Sequence, residues 1–260
     1  MTAPFWLMDP TGRFTSRALD YARHRPDYPE AAIDAVLGGL GAADALTAAD
    51  VGAGTGILSR LLAARGVRVK AIEPNAAMRG ALHPAERIEV VAGTAERTGL
   101  GDGAVDLVAC AQSFHWFEPR AALAEFVRVL RPGGRLAILW NERNRDDAFT
   151  AAYSALLRES AGGRETEASR AGLEARLGDA GFAPRPPFEA AHGQSLGLEG
   201  LVGRALSSSY APRSGAAYEL LVAGLHALHS SFRDGEGRVR LAYRTIVCLA
   251  EAAPLRRTPR

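Results

Sequence analysis

The stretch Asp50-Val-Gly-Ala-Gly-Thr-Gly56 decides how this chain is read. It joins a short apolar run at 48–51 to a segment of helical spacing, in which Ile57, Leu58, Leu61 and Leu62 share a face and Gly66 marks the stop. Without Cβ atoms at Gly52 and Gly54, a ligand can lie close against the turn. The helix beginning near Thr55 offers free N–H groups and the positive end of its dipole to the same place. Further along, Glu73 closes the apolar run 67–72, where a carboxylate can accept both hydroxyls of a ribose. Turn and acid together specify a nucleoside-containing cofactor at the carboxyl ends of parallel strands.

Outward from the turn, residues 45–140 alternate short apolar runs with helix-like stretches, the pattern of a parallel sheet with crossover helices. The runs are 48–51, 67–72, 88–91, 105–110 and 136–140. Leu123, Phe126, Val127 and Leu130 line a second helical face, followed by Arg131-Pro-Gly-Gly134 as a breaker before the next strand. Residues 10–40 read as one or two helices, broken at Arg25-Pro-Asp-Tyr-Pro29. Residues 146–180 are helical again, interrupted at Ala161-Gly-Gly163. Phe182-Ala-Pro-Arg-Pro-Pro-Phe188 is too rich in proline for a central strand and is placed at an edge. Helical stretches near 198–208 and 215–230 lead to a final strand at 239–250, and the residues from Pro254 form a tail.

Composition narrows the class. With 260 residues, 47% hydrophobic and 23% charged, the chain is an ordinary globular sequence with enough material for one sizeable core. Thirty-one basic against twenty-nine acidic side chains leave a charge of +2, too balanced for a protein that coats nucleic acid. Every basic residue but Lys70 is arginine, which reads as a compositional habit. Cys110 and Cys248 sit in apolar runs and are expected to be buried thiols in a reducing compartment. No apolar stretch reaches the roughly 20 residues that span a bilayer. The first nine residues carry no basic region before their apolar patch, so no signal peptide is expected and the cytoplasm is the default compartment.

The dinucleotide fingerprint requires glycine at its sixth position, and counting from Gly52 that position is Ile57. An acid two residues before the first of several alternating glycines instead resembles motif I of the class I S-adenosylmethionine-dependent methyltransferases. The resemblance extends over roughly residues 14–250, through Gly93-Thr-Ala-Glu96, Gln112-Ser-Phe-His-Trp-Phe117 and Arg131-Pro-Gly-Gly134. Within that family, Tyr21-Ala-Arg-His-Arg-Pro-Asp-Tyr-Pro29, Ser207-Ser-Ser-Tyr-Ala-Pro212 and Leu241-Ala-Tyr-Arg-Thr245 are similar to the small-molecule branch typified by trans-aconitate methyltransferases. It implies one α/β domain over 1–260, with a Rossmann-like sheet of seven strands, mostly parallel and the last antiparallel. Within it, 14–45 would be N-terminal lid helices, 46–140 the cofactor-binding core, 146–230 lid and substrate-side helices with an edge strand, and 238–250 the last strand.

The resemblance also implies roles. Asp50, Gly52, Ala53, Gly54 and Gly56 would shape the turn for S-adenosylmethionine, Glu73 beside Pro74 would hold the ribose, and Thr94 with Ala95 the adenine. Many relatives have aspartate where this chain has Thr94. Gln112 and Ser113 would touch the amino-acid end of the cofactor, while Arg25 and Tyr21 would clamp its carboxylate and cover the site. His115 reads either as a base or orienter of the acceptor, or as a strand-capping histidine. Ser207 and Tyr210 are candidates for the acceptor pocket, and Asn141 for the crevice after the fifth strand. The expected partner is a small-molecule acceptor, with no nucleic acid, no membrane and no metal, in a monomer or homodimer. A cyclase or lyase that consumes the same cofactor by attack on its γ-carbon, releasing methylthioadenosine, and a non-catalytic cofactor-binding module are the alternatives.

Two motifs are read as decoys. Gly193-Gln-Ser-Leu-Gly197 matches the nucleophile-elbow pattern, but no histidine follows Asp234 to complete a triad. His226 and His229 lie one helical turn apart without a third ligand, which favours a boundary role over a metal site.

Overall fold

A computed structural model of the protein describes residues 18–82, 85–163 and 170–252. The first nine residues, the opening of the expected lid at 14–17 and the tail from Pro254 lie outside them. Two helices, α1 (Ala18–His24) and α2 (Glu30–Leu37), precede β1 (Thr47–Val51), and α3 (Ile57–Ala64) leads to β2 (Arg68–Ile72). Then come α4 (Ala76–Ala81), β3 (Ile88–Val91), β4 (Val105–Ala111), α5 (Pro119–Val129) and β5 (Leu130–Arg143). The rest comprises α6 (Ala148–Ser160), α7 (Leu173–Asp179), β6 (Phe182–Pro184), β7 (Phe188–Leu196), α8 (Leu198–Leu206), α9 (Gly215–Phe232) and β8 (Val239–Ala252).

The sheet runs β3-β2-β1-β4-β5-β8-β6, with β7 also on β8. Strands β1 to β5 are parallel, and β8 is antiparallel to β5, β6 and β7. Strand order reverses between β1 and β4, and a crevice opens at the carboxyl ends of strands at such a point. Side-chain alternation divides the sheet between two cores. Leu107, Ala109, Ala137 and Leu139 face α2 and α3, while Val108, Cys110, Leu136 and Ile138 face α5 and α7. A third cluster joins α6, α8 and α9 to β8 through Tyr153, Leu201, Leu225 and Tyr243.

Three expectations are corrected. The described residues hold eight strands, not seven, because the edge beside β8 is broken in two. Pro184 pairs with Ala250 and Phe188 with Val247, so the edge gains one residue where Pro186 and Pro187, lacking N–H donors, cannot pair. Arg131-Pro-Gly-Gly134 does not precede β5 but lies inside it as an irregularity. Leu130 pairs with Val105, and pairing resumes at Arg135 against Leu107. Cys110 is buried as expected, but Cys248 is half-buried; both are free thiols.

Arg135 ties the layers together. It is 3% exposed, its Nη1 donates to the carbonyls of Val36 (2.9 Å) and Gly38 (2.7 Å), and its Nε donates to Glu251 (3.0 Å). One guanidinium thus satisfies the C-terminal end of α2 and pairs with a carboxylate on β8. Replacing Arg135 with alanine strands both carbonyls and is expected to cost about 2–4 kcal/mol. Urea denaturation should show a lower midpoint at an unchanged slope; a loss below about 0.5 kcal/mol would show that α2 docks without this contact.

Candidate active site

The site begins where β1 turns into α3. Gly52, Gly54 and Gly56 take φ of 67°, 59° and 77°, a left-handed region costly for any residue with a Cβ. The N–H groups of Gly52 and Ala53 both donate to Ile72 O, at 2.9 and 3.0 Å, which holds the turn against β2. A Cβ at Gly52 would lie 2.7 Å from Ser113 Cβ, and one at Gly54 would lie 3.3 Å from Met78 Cε. Bare backbone is therefore required here by packing within the chain as well as by any ligand.

Glu73 follows β2 directly and is 7% exposed. Its Oε2 accepts from Gly54 N at 2.9 Å and its Oε1 from Asn75 N at 2.9 Å. Arg79 closes the turn below by donating to the carbonyls of Glu73 and Pro74. Burial raises the carboxyl pKa of Glu73, and the two N–H donors oppose that shift. Asp50, under the turn, accepts from Ser59 Oγ at 2.6 Å, while its Oδ1 is buried with no partner among the described residues. Burial pushes its pKa up to about 6 against that hydrogen bond.

The opposite wall follows β4. Gln112 has φ 58°, the one positive value among described non-glycine residues, a strain of roughly 1–2 kcal/mol. It is held there by Gln112 N donating to Leu139 O (2.9 Å) and Nε2 donating to Asn141 O (3.2 Å). Ser113 Oγ donates to Val51 O at 2.8 Å, binding this wall to the glycine turn. A single 3-10 turn, Phe114–Trp116, then leads into α5, whose N-terminus Glu118 caps by accepting from Arg120 N and Ala121 N.

These walls enclose a cavity of about 270 Å³. Of the residues read from sequence, it is lined by Tyr21, Gly52, Gly54, Glu73, Pro74, Thr94, Ala95, Gln112 and Ser113. Ala53 and Gly56 belong to the turn, and Asp50 lies buried beneath it. The sequence reading gave no role to Met78, Glu96, Ala111, Trp116, Phe117 and Glu118, which also line it. Trp116 and Phe117 stood inside the quoted stretch after β4. Met78 and Glu118 are set by helix caps: Asn75 Oδ1 accepts from Met78 N, and Glu118 caps α5.

The other candidates lie apart from the lining. Asn141 is engaged in structure: its Nδ2 donates to Asp27 O (2.8 Å) and its Oδ1 accepts from Thr245 Oγ1 (2.6 Å). His115 is half-buried beside Trp116, ring centroids 5.0 Å apart; desolvation, then the nearby Arg25 cation, lowers its pKa to about 4. Arg25 stacks over the Tyr21 ring at 4.6 Å and donates from Nη2 to Ser207 O at 3.2 Å. Ser207 Oγ donates to Arg204 O, and Tyr210 lies near Arg25, Arg143 and Arg204. Ser195 of the elbow pattern sits within β7 opposite Arg240, where its Oγ accepts from Arg238. His229 bonds Gly237 O at 3.0 Å, and the described residues hold no cluster of metal ligands.

Residues 49–138 match the family model of the methyltransferase domain. An uncharacterized methyltransferase of Mycobacterium tuberculosis is 44% identical over 132 residues, which make up 50% of this chain and 53% of that protein. The chain thus spans about half the length of the first curated relatives it matches. A candidate type II methyltransferase from Anaeromyxobacter dehalogenans shares the fold, with a TM-score of 0.65 at 24% identity over 88% of this chain and 99% of that one. The geranyl diphosphate C-methyltransferase of Streptomyces coelicolor, solved with Mg2+, geranyl diphosphate and S-adenosyl-L-homocysteine, has a TM-score of 0.55 at 13% identity over 97% and 99% of the two chains. The matched segment carries the glycine turn, Glu73 and the wall after β4, so the similarity to methyltransferase domains covers the core of the site, and the solved structures share the fold.

The two perturbed groups pull stability in opposite directions with pH. Asp50 keeps its proton up to about pH 6 in the fold, so its contribution is full at low pH and fades as pH rises from about 4 to about 6. His115 stays neutral down to about pH 4, so its contribution is full above about 6.5 and is lost as pH falls to about 4. Across pH 4–6.5, the stability of Asp50→Asn relative to the unsubstituted protein should therefore rise with pH, and that of His115→Gln should fall. Each change should reach at most about 3 kcal/mol. Urea titrations at several pH values check this, and parallel pH profiles for all three proteins would refute both shifts.

Proposed function

We propose that this protein transfers the methyl group of S-adenosylmethionine to a small-molecule acceptor. The observation that carries this reading is the Glu73 carboxylate, held by Gly54 N and Asn75 N beside a cavity at the reversal of strand order. Each oxygen accepts one N–H and retains capacity for a hydroxyl, which suits the two hydroxyls of a ribose. The bare turn beside it leaves room for a nucleoside, and the unpartnered Oδ1 of Asp50 gives the buried end of the site an unused acceptor. Thr94 and Ala95 would border the adenine. Gln112 and Ser113 would meet the amino-acid portion. Residues 14–45 and 146–230 would serve as the lid: α1 packs on α4 and α8, and α6 packs on α9.

When bound, the cofactor supplies a sulfonium-activated methyl group, so the protein's task is chiefly alignment and exclusion of water. Trp116 and Phe117 would dry the cavity wall, and strained Gln112 would hold its side chain where an unstrained backbone would not. His115, neutral at pH 7 and depressed to about 4, would orient groups more readily than it would remove a proton.

Incubation with S-adenosylmethionine and a metabolite extract, with nucleoside products resolved by mass, should yield S-adenosylhomocysteine. Methylthioadenosine in its place would overturn methyl transfer in favour of attack at another carbon. Glu73→Ala is expected to weaken S-adenosylhomocysteine binding by ~1–3 kcal/mol, through loss of two hydroxyl partners. Unchanged calorimetric affinity in that variant would remove Glu73 from the ribose site.

A further inference from the structure

Beyond Tyr21 the structure gathers positive charge, half-buried at Arg25 and buried at Arg204. Arg25 and Arg204 come from α1's C-terminal flank and from α8 and lie close enough to act on each other electrostatically. Arg204 is 7% exposed; its Nε donates to Tyr243 OH at 3.1 Å and its Nη1 to Ser208 Oγ at 3.3 Å. Arg25 donates to Ser207 O and stacks on Tyr21, but its buried Nε has no partner. Tyr153 OH, under the same Arg204, is also buried without a hydrogen-bond partner. Among the described residues, no carboxylate pairs with Arg25 or Arg204.

Arg204 is buried and Arg25 half-buried; two like charges held close without a counter-ion are costly, and the Arg25 Nε–H and the Tyr153 hydroxyl can each donate. What the cluster lacks is a negatively charged hydrogen-bond acceptor. It also adjoins the cavity, because Tyr21 both lines the cavity and carries Arg25 on its ring face. The charges act on a neighbour too: burial alone raises the Tyr210 phenol, but Arg143, Arg204, a hydrogen bond with Ser208 and Arg25 together outweigh it and lower its pKa.

We propose that Arg25, read from sequence as a clamp on the cofactor carboxylate, instead joins Arg204 and the Tyr153 hydroxyl in binding the anionic group of the acceptor, a carboxylate or a phosphate, so that the substrate is a small organic anion. This assignment rests on the methyltransferase reading for the word acceptor, but the anion site itself is testable apart from it.

Malonate, succinate and pyrophosphate are titrated by calorimetry into the protein with and without saturating S-adenosylhomocysteine, and uncharged succinamide serves as the control. At least one anion should bind, with succinamide at least tenfold weaker; the carboxylate and pyrophosphate arms identify which acid group is preferred. Arg204→Met should weaken anion binding tenfold or more while S-adenosylhomocysteine affinity stays within twofold. Because Arg204 is buried, Tyr153→Phe, which removes only the orphaned hydroxyl, provides the same test if the first variant misfolds. Binding of succinamide as tight as succinate, no binding of any anion, or undiminished anion binding in a folded variant would overturn the proposal. Failure of S-adenosylhomocysteine to bind the unsubstituted protein would instead count against the cofactor reading, while the titrations without it still decide the anion site.

Discussion

One carboxylate holds two turns together. Glu73 accepts the N–H of Gly54 from the β1–α3 turn and the N–H of Asn75 from its own turn into α4, so two loops that meet only at the crevice share an anchor. Burial would otherwise leave both donors unsatisfied, at a cost of about 1–3 kcal/mol each. The same burial raises the Glu73 pKa, which means the charged form is held at some expense. A ligand that donates hydroxyls to this carboxylate would offset part of that expense. Binding and local folding are therefore coupled at one side chain.

The opposite wall stores a comparable strain. Gln112 lies in the left-handed region at the end of a buried strand, pinned by Leu139 O and Asn141 O, and Ser113 ties the same segment to Val51 O. Asn141 in turn anchors Asp27 O and Thr245. A residue read from sequence as a crevice candidate thus holds the wall's support and the segment after α1 in one network. Displacing that segment would reach the cavity through Gln112, which lines it.

How far the sequence could be read followed the range of the interactions concerned. The β1 turn, the strands β2 to β4 and Glu73 were legible because glycine positions and apolar spacing are local signals. The irregularity at 131–134 was not, since proline and glycines look the same whether they end a strand or bulge out of it. What differs is that Arg135 pairs with Leu107, a partner distant in sequence. The split edge at β6 and β7 followed the same rule: the prolines marked the edge but not where pairing would resume. Arginine misled most. A chain with a single lysine makes arginine look like background, yet Arg135 and Arg204 are buried, and what they bond lies on other elements far along the chain.

Charge is segregated across Tyr21. On its cavity side stand Glu73, Glu96 and Glu118, with Asp50 beneath the turn; on the other side stand Arg25 and Arg204. A sulfonium cation is favoured on the first side and an organic anion on the second, so on the proposed reading each compound is drawn to its own half. Tyr21 and Trp116 stand where those halves adjoin. A reaction between a cation and an anion loses charge as it proceeds, and such a reaction gains from a site that excludes water. Exclusion of water from both charged halves would then serve catalysis directly: it raises the cost of the separated charges and leaves the charge-dispersed transition state comparatively untouched.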